Sequence, residues 1–175
     1  GSEPDDQGVV NMLLETQRDF AVVAPGEDLS RFETVILPGA AFLDEAAAAR
    51  LDAYVEAGGS LLVIGESGLD KAKTRFLLDV GATYLGPAAH VNDYLVAGPA
   101  LAEGMVASPF LNYSAALRAR VEDAEPLAAL REPYFDRTYG HYCSHQNTPY
   151  RMEEAEHPGA WRKGSVVVLP HRQYR

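Results

Sequence analysis

The sequence has 175 residues, which suits a single domain, and 47% of them are hydrophobic, so the chain can bury a core. Its 15 basic and 25 acidic side chains give a formal net charge of −10 without a basic stripe, which argues against nucleic acid and anionic membranes as partners. Cys143 is the one cysteine, so no intrachain disulfide forms and a reducing, cytoplasmic location is favoured; no apolar run reaches the ~18 residues of a membrane span.

The N-terminal part predicts a helix followed by two strands. The segment GVVNMLLETQRDF, from residue 8, spaces Val10, Leu13 and Leu14 as on one face of a helix. FAVVAPG then predicts a short strand that ends at a Pro-Gly turn signal. Thr34–Leu37 is a largely apolar run without alternation, which is typical of a strand buried on both faces of a parallel sheet.

The next segment predicts a third strand between two helices. LDEAAAARLDAYVEAGG predicts a helix with Asp44 as its N-cap and the glycine pair as its stop. SLLVIG predicts another buried strand, and LDKAKTRFLLDVG predicts a helix that begins at Asp70 and ends at Gly81. Strands and helices that alternate across short turns indicate an α/β fold with right-handed crossovers over residues 8–86.

The pattern changes after Gly86. Short strand-like stretches separated by Pro, Gly and Asp predict antiparallel strands and loops over residues 87–164. SVVVLP has the continuous apolar character of a central strand, so we expect residues 165–170 to return to the main sheet. We expect one domain over residues 1–175, and the start without Met indicates a fragment of a larger protein.

The turn VIGESG raises the question of a nucleophile at the end of a strand. A hydrolase elbow needs G-x-S-x-G, but here the second glycine follows Ser67 directly, so the spacing is short by one residue. A serine nucleophile also needs a histidine base, and the sequence leaves open whether His141, His145 or His171 approaches. We predict a tight turn in which Glu66 and Ser67 perform no catalysis.

The segment RTYGHYCSHQNTPY, which begins at Arg137, is rich in polar side chains. If it is extended, His141, Cys143 and His145 share one face, and such a face could hold a soft divalent metal such as zinc or form a Cys–His pair. The interpretation that we adopt is a polar network that holds an irregular loop, with no metal and no cofactor. Arg137, His141, His145 and Gln146 are then our candidate ligand or interface contacts.

Two carboxylates lie just before this segment. Glu132 and Asp136 could serve glycoside hydrolysis as a pair, but Arg131 and Arg137 flank them. We therefore predict that these carboxylates form ion pairs with the neighbouring arginines.

The sequence resembles a known family. The run from GVVNMLLE through FAVV, DLSRF before VILP, and YVEAGGSLL is similar to the amidotransferase-like, or trimerisation, domain of family 42 β-galactosidases. The second run, EPYFDRTYGHYCSHQNTPY with RKGSVVVLPH, resembles a signature of related bacterial glycosyl hydrolases, in which SHQ-x-TP and RKG precede a strand. The resemblance as a whole covers nearly the whole chain.

The resemblance implies a flavodoxin-like, class I glutamine amidotransferase-like parallel sheet flanked by helices, with its nucleophile lost and an irregular β-rich second half. In this family a separate (β/α)8 barrel cleaves the glycoside, so no catalytic residue is carried over. It implies a non-catalytic assembly domain of a β-galactosidase-like glycoside hydrolase, with the parent barrel, further subunits of a homo-oligomer and carbohydrate as partners. Glu66 and Ser67 would then mark a vestigial elbow.

Two alternatives stay open on the residues alone. One is a free-standing hydrolase or amidotransferase-like enzyme that uses Ser67 or Cys143 with a histidine. The other is a metal-binding module built on the His141–Cys143–His145 pattern.

Overall fold

The computed structural model describes residues 3–172 of the chain. Within this range the chain forms two α-helices and nine β-strands. They are α1 (Glu3–Glu15), β1 (Thr34–Leu37), α2 (Glu45–Glu56), β2 (Ser60–Ile64), β3 (Ala82–Gly86), β4 (Asp93–Ala97), β5 (Phe110–Asn112), β6 (Arg118–Val121), β7 (Glu125–Arg131), β8 (Ala160–Lys163) and β9 (Val166–Leu169). Neither helix is long and apolar enough to cross a membrane.

Seven strands form one mixed sheet in the order β1-β2-β9-β8-β7-β4-β5. The first three run parallel, and every pairing from β9 onward is antiparallel. β3 and β6 form a separate antiparallel pair. The strands predicted at Thr34–Leu37, residues 60–65 and residues 165–170 are confirmed as β1, β2 and β9.

The predicted fold class, a flavodoxin-like and class I amidotransferase-like parallel sheet flanked by helices, is wrong. The described chain is mostly β-structure, and its parallel part is limited to three adjacent strands. Parallel strands need a crossover connection, which is most often a helix. After β2 the described chain forms no second crossover helix, and apart from β9, which pairs parallel with β2, the strands that follow pair antiparallel.

The segment predicted as that helix, from Asp70 to Gly81, forms a compact loop instead. The Asp70 carboxylate accepts hydrogen bonds from the Thr74 backbone N–H and from the Thr74 hydroxyl, both at 2.6 Å. Lys73 has a φ of +55°, which is incompatible with a right-handed helix, and Leu69 forms a bridge with Phe76. Asp70 therefore closes a loop rather than capping a helix.

The predicted strand in FAVVAPG is also absent from the structure. Phe20 and Val22 are 41% and 86% exposed, and the segment has no regular secondary structure. No strand pairs with it, and an isolated extended segment has no ladder of hydrogen bonds to stabilise it.

The helix α2 forms as the sequence predicts. The Asp44 carboxylate accepts the Ala47 N–H at 2.9 Å, which is an N-cap bond. Ala48, Leu51 and Tyr54 are buried along its inner face, and Gly58 follows its end with a φ of +101°. The N-cap and the glycine stop thus fix both ends of the helix locally.

The main core lies on one face of the central strands. Trp161 of β8 is completely buried, and its indole Nε1 donates to the Val80 carbonyl at 3.0 Å. The Phe76 ring meets the indole edge-on, with centroids 6.3 Å apart. Side chains of β2, β9, α2 and β6 complete this cluster, so the loop that replaces the predicted helix covers the core in its place.

We expect Trp161→Phe to lower the free energy of unfolding by about 1–3 kcal/mol, because the Val80 carbonyl loses its donor in a buried site. Urea denaturation followed by circular dichroism measures this. Tyr139→Phe is the control, since Tyr139 is fully exposed, and should change stability by less than about 0.5 kcal/mol. Equal urea midpoints for Trp161→Phe and the parent chain would contradict the assignment of this core.

Candidate functional site

The polar segment forms a loop whose two ends are joined to each other. The Tyr134 N–H donates to the Pro149 carbonyl at 3.1 Å, and the Arg151 N–H donates to the Glu132 carbonyl at 2.9 Å. These bonds form a stem at the end of β7. The residues between, 134–149, are called the contact loop below.

Two of the predicted contact residues meet within this loop. The Arg137 guanidinium donates to the Gln146 carbonyl. Thr138 and His141 exchange backbone hydrogen bonds at 2.9 and 3.3 Å, and the His141 ring stacks on Phe135 with centroids 3.7 Å apart. Arg137 and His141 thus brace the loop, while His145 and Gln146 are exposed on its surface.

The pattern that suggested a metal site does not form a strand. Residues 142–149 have no extended ladder, and the Cys143 thiol faces the carbonyls of His145 and Asn147 at 3.6 and 3.8 Å. The shared face on which the metal alternative depended is therefore not formed. Among residues 3–172, no group of three or more His, Cys, Asp or Glu side chains is arranged to hold a metal ion.

Exposed tyrosines in this region are further contact candidates, which the sequence patterns above did not predict. Tyr134, Tyr139 and Tyr142 are 54%, 103% and 70% exposed, and Met152 beyond the stem is 67% exposed. Tyrosine is enriched in protein interfaces because it combines apolar area with a hydrogen-bonding end. The signal in the sequence is the repeated Tyr of an otherwise polar segment, and this pattern fits a polar network equally well.

Glu132, before the loop, and Asp136, within it, do not pair with arginine as predicted. The His90 ring nitrogens lie 3.3 Å from Asp136 Oδ1 and 4.0 Å from Glu132 Oε2. Arg131 instead places its guanidinium carbon 5.4 Å from the centre of the Tyr150 ring. The pairing was predicted from sequence adjacency, but both carboxylates face His90 and the Arg137 guanidinium bonds the Gln146 carbonyl instead.

Near Glu132 and β4, burial shifts the pKa of two groups. Burial lowers the pKa of His157 although the Glu132 carboxylate opposes the shift, so the imidazole is neutral near pH 7. Burial raises the pKa of Tyr94, and the Cys143 thiol adds to this. The Tyr94 hydroxyl donates to the Thr148 carbonyl at 2.7 Å, so a protonated phenol ties the loop to β4.

The turn after β2 holds no catalytic geometry for its serine. Ser67 is completely buried, and its hydroxyl accepts the Ala41 N–H at 3.0 Å. Glu66 forms an ion pair with Lys73 at 2.8 Å. His171, at the end of the neighbouring strand β9, places Nε2 2.7 Å from Asp93 Oδ1, so its imidazole is engaged elsewhere.

Side chains of this protein fill the space at the carboxyl ends of the parallel strands. In open parallel sheets this edge usually binds ligands. Here Asp5 of α1 is completely buried and receives the Arg172 guanidinium, with Nε 3.2 Å from Oδ1. A Cβ atom on Gly39 would lie 2.1 Å from the Asp5 carboxyl carbon, so the space is closed.

The chain is similar to one family model and to several solved structures. Residues 11–93 match the family model described as "Beta-galactosidase trimerisation domain". The structure is similar to α-L-fucosidase isoenzyme 2 from Paenibacillus thiaminolyticus, with 29% identity and a TM-score of 0.88; the match covers 97% of this chain and 26% of the fucosidase. It shares its fold with a β-galactosidase from Rahnella sp. R3, at 16% identity and a TM-score of 0.66, over 94% of this chain and 24% of that one. No curated protein sequence matches the chain.

We expect Gly39→Ala to destabilise the chain more than Gly58→Ala. Both positions have positive φ, so both substitutions carry about 1–2 kcal/mol of backbone strain. A Cβ at Gly58 meets nothing within 4 Å, whereas one at Gly39 collides with Asp5, and overpacking adds about 1–3 kcal/mol. Urea denaturation of the two variants tests this, and equal losses would show that the edge is open.

Proposed function

We propose that this chain, whose residues 11–93 belong to the β-galactosidase trimerisation domain family, is a non-catalytic assembly domain of a larger bacterial glycoside hydrolase. The observation that carries the proposal is the unequal coverage of the fucosidase match. Nearly all of this chain aligns with about a quarter of that enzyme. A whole glycosidase therefore contains an equivalent of this chain as a minor part.

The proposed partner within the same polypeptide is a catalytic (β/α)8 barrel. On this view residues 1–175 act as one accessory domain, and the catalytic carboxylates belong to the barrel. The filled carboxyl edge of β1, β2 and β9 supports this division, because Asp5 and Arg172 occupy the place where a parallel sheet would otherwise receive a substrate.

The proposed contact site is the contact loop. Arg137, His141, His145 and Gln146 supply its polar groups, and Tyr139 and Tyr142 supply exposed aromatic area. Such a mixture suits a protein interface with a polar rim. We place the parent barrel or a neighbouring subunit against it, and a carbohydrate is the second candidate for the same surface.

The alternative of a free-standing enzyme has less support. A nucleophile needs a base within hydrogen-bond reach. Ser67 instead accepts a backbone N–H, and the Cys143 thiol faces two carbonyls. Among the described contacts of these two side chains, none is made to an imidazole.

Two measurements on the purified chain test the proposal. Sedimentation equilibrium over a range of concentrations should show self-association, and a monomer at every concentration would count against an assembly role. Assays with aryl β-galactosides and α-fucosides should show no turnover. Turnover above the buffer blank would support the enzyme alternative.

We expect His145→Ala to weaken self-association several-fold, since its exposed imidazole lies on the proposed contact surface. Lys71→Ala is the control, because Lys71 is exposed in the loop after β2. Sedimentation measures the association, and urea denaturation separates it from any loss of folding. Unchanged self-association in folded His145→Ala would contradict the proposed contact surface, and a hydrolytic activity of the chain that His145→Ala abolished would contradict the non-catalytic role.

We expect Ser67→Ala to cost about 1 kcal/mol of stability, because the Ala41 N–H loses its acceptor. It should leave every glycosidase rate unchanged in a parent enzyme that carries the substitution. Ser144→Ala, in the exposed part of the contact loop, should change neither quantity. A fall in kcat for Ser67→Ala with normal stability would show a catalytic serine.

A further inference from the structure

Four buried side-chain atoms in the described part of the chain have no hydrogen-bond partner in the protein. They are His90 Nδ1, Asn92 Nδ2, Arg131 Nε and Thr148 Oγ1. Asn92 is 8% exposed and Thr148 is 2% exposed. Buried polar atoms are paired in the great majority of cases, so each unpaired one calls for an explanation.

Two of these residues, Asn92 and Arg131, face one side of the β4–β7 pair, and Tyr94 of that side bonds the carbonyl of a third, Thr148. Arg131 lies directly opposite Tyr94 in the ladder, and strand alternation puts Asn92 on the same side as Tyr94. The Tyr94 hydroxyl bonds the Thr148 carbonyl. The Tyr150 ring lies 5.0 Å from the Tyr94 ring and beneath the Arg131 guanidinium.

His90 joins the group at the same end of the two strands. Its ring lies between Asp136 and Glu132, and Glu132 directly follows Arg131. The approach of His90 Nδ1 to Asp136 Oδ1 at 3.3 Å lacks hydrogen-bond geometry. The Asp136 oxygen instead accepts the Val91 N–H at 3.1 Å.

The chemistry of the four atoms defines what would satisfy them. Asn92 Nδ2 and Arg131 Nε can only donate, whereas the Thr148 hydroxyl can donate or accept and His90 Nδ1 does one or the other according to its tautomer. A group that satisfies both Asn92 and Arg131 must therefore accept at least two hydrogen bonds. It must also be small, because these atoms are closed to solvent and two tyrosine rings pack beside them.

The surrounding charges narrow the choice further. One guanidinium, that of Arg131, faces the partner with its Nε, while two carboxylates, Glu132 and Asp136, lie at the same end of the strands. An anion would meet repulsion from both carboxylates, and a cation would meet two groups that only donate. A neutral molecule that accepts and donates fits best, and water is the smallest one.

We propose that the face of β4–β7 beneath Thr148 and Tyr150 is a buried hydration site, occupied by ordered water that bridges Asn92, Arg131, His90 and Thr148. Because Thr148 lies in the contact loop, this water connects the loop to the sheet. It acts beside the Tyr94–Thr148 bond rather than in place of it. The proposal concerns the support of the loop and holds whatever the loop contacts.

A crystal structure of the chain that resolves ordered solvent tests the proposal directly. We expect water within hydrogen-bond distance of Thr148 Oγ1 and Asn92 Nδ2. A chloride in this place, identified by bromide exchange and anomalous scattering, would overturn the proposal. Direct protein partners for these atoms, or a dry site, would overturn it as well.

Thr148→Val adds a test in solution, since valine keeps the shape and removes the hydroxyl. We expect hydrogen exchange of the stem amides of Tyr134 and Arg151 to accelerate several-fold. The self-association constant is measured separately, so that an effect on the loop is distinguished from an effect on assembly. Thr138→Val, at an exposed position of the same loop, should leave the exchange unchanged. If Thr148→Val does not fold, Asn92→Leu replaces it, and unchanged stem exchange in the folded variant would contradict the bridging role.

Discussion

The pairing of β9 with β2 on one side and with β8 on the other joins two kinds of sheet into one layer. All four residues of β9 are in register with Leu61–Ile64 of β2, and β8 closes the opposite side as an antiparallel hairpin. Val168 of β9 is completely buried in the main core together with Trp161. The parallel half, the antiparallel half and the core therefore all depend on four residues near the end of the described chain.

This arrangement determines where the molecule can make contacts. The carboxyl ends of the parallel strands are closed by the ion pair of Asp5 with Arg172, by the buried Ser67 and by the close approach of Gly39 to Asp5. In the antiparallel half, the chain leaves the sheet at the end of β7 and forms the contact loop. The exposed polar and aromatic side chains of the contact loop thus lie beside the antiparallel strands and not at the edge where parallel sheets usually bind ligands.

Local signals in the sequence predicted local structure well. Asp44 and the glycine pair after α2 define that helix, and the run VVVL defines β9. The helix predicted from Asp70 was wrong because an Asp carboxylate accepts a nearby backbone N–H both at a helix N-cap and in a closed loop. The positive φ of Lys73 distinguishes the loop from a helix. The pairing of Asp5 with Arg172 joins opposite ends of the sequence, which periodicity does not report. The contact roles of Arg137, His141, His145 and Gln146 remain predictions, since their geometry alone does not identify a partner.

The position of β9 also has a consequence for how the chain reaches its fold. Leu61 must find Val166 across most of the sequence, and such non-local pairing slows folding because loop closure precedes any gain from the contact. During synthesis, β2 emerges long before β9, and its free edge carries the apolar run LLVI. Unpaired apolar edges of this kind promote aggregation. A nascent chain is thus most prone to misassembly in the interval before β9 pairs with β2. A chaperone that shields residues 60–64 would act in that interval.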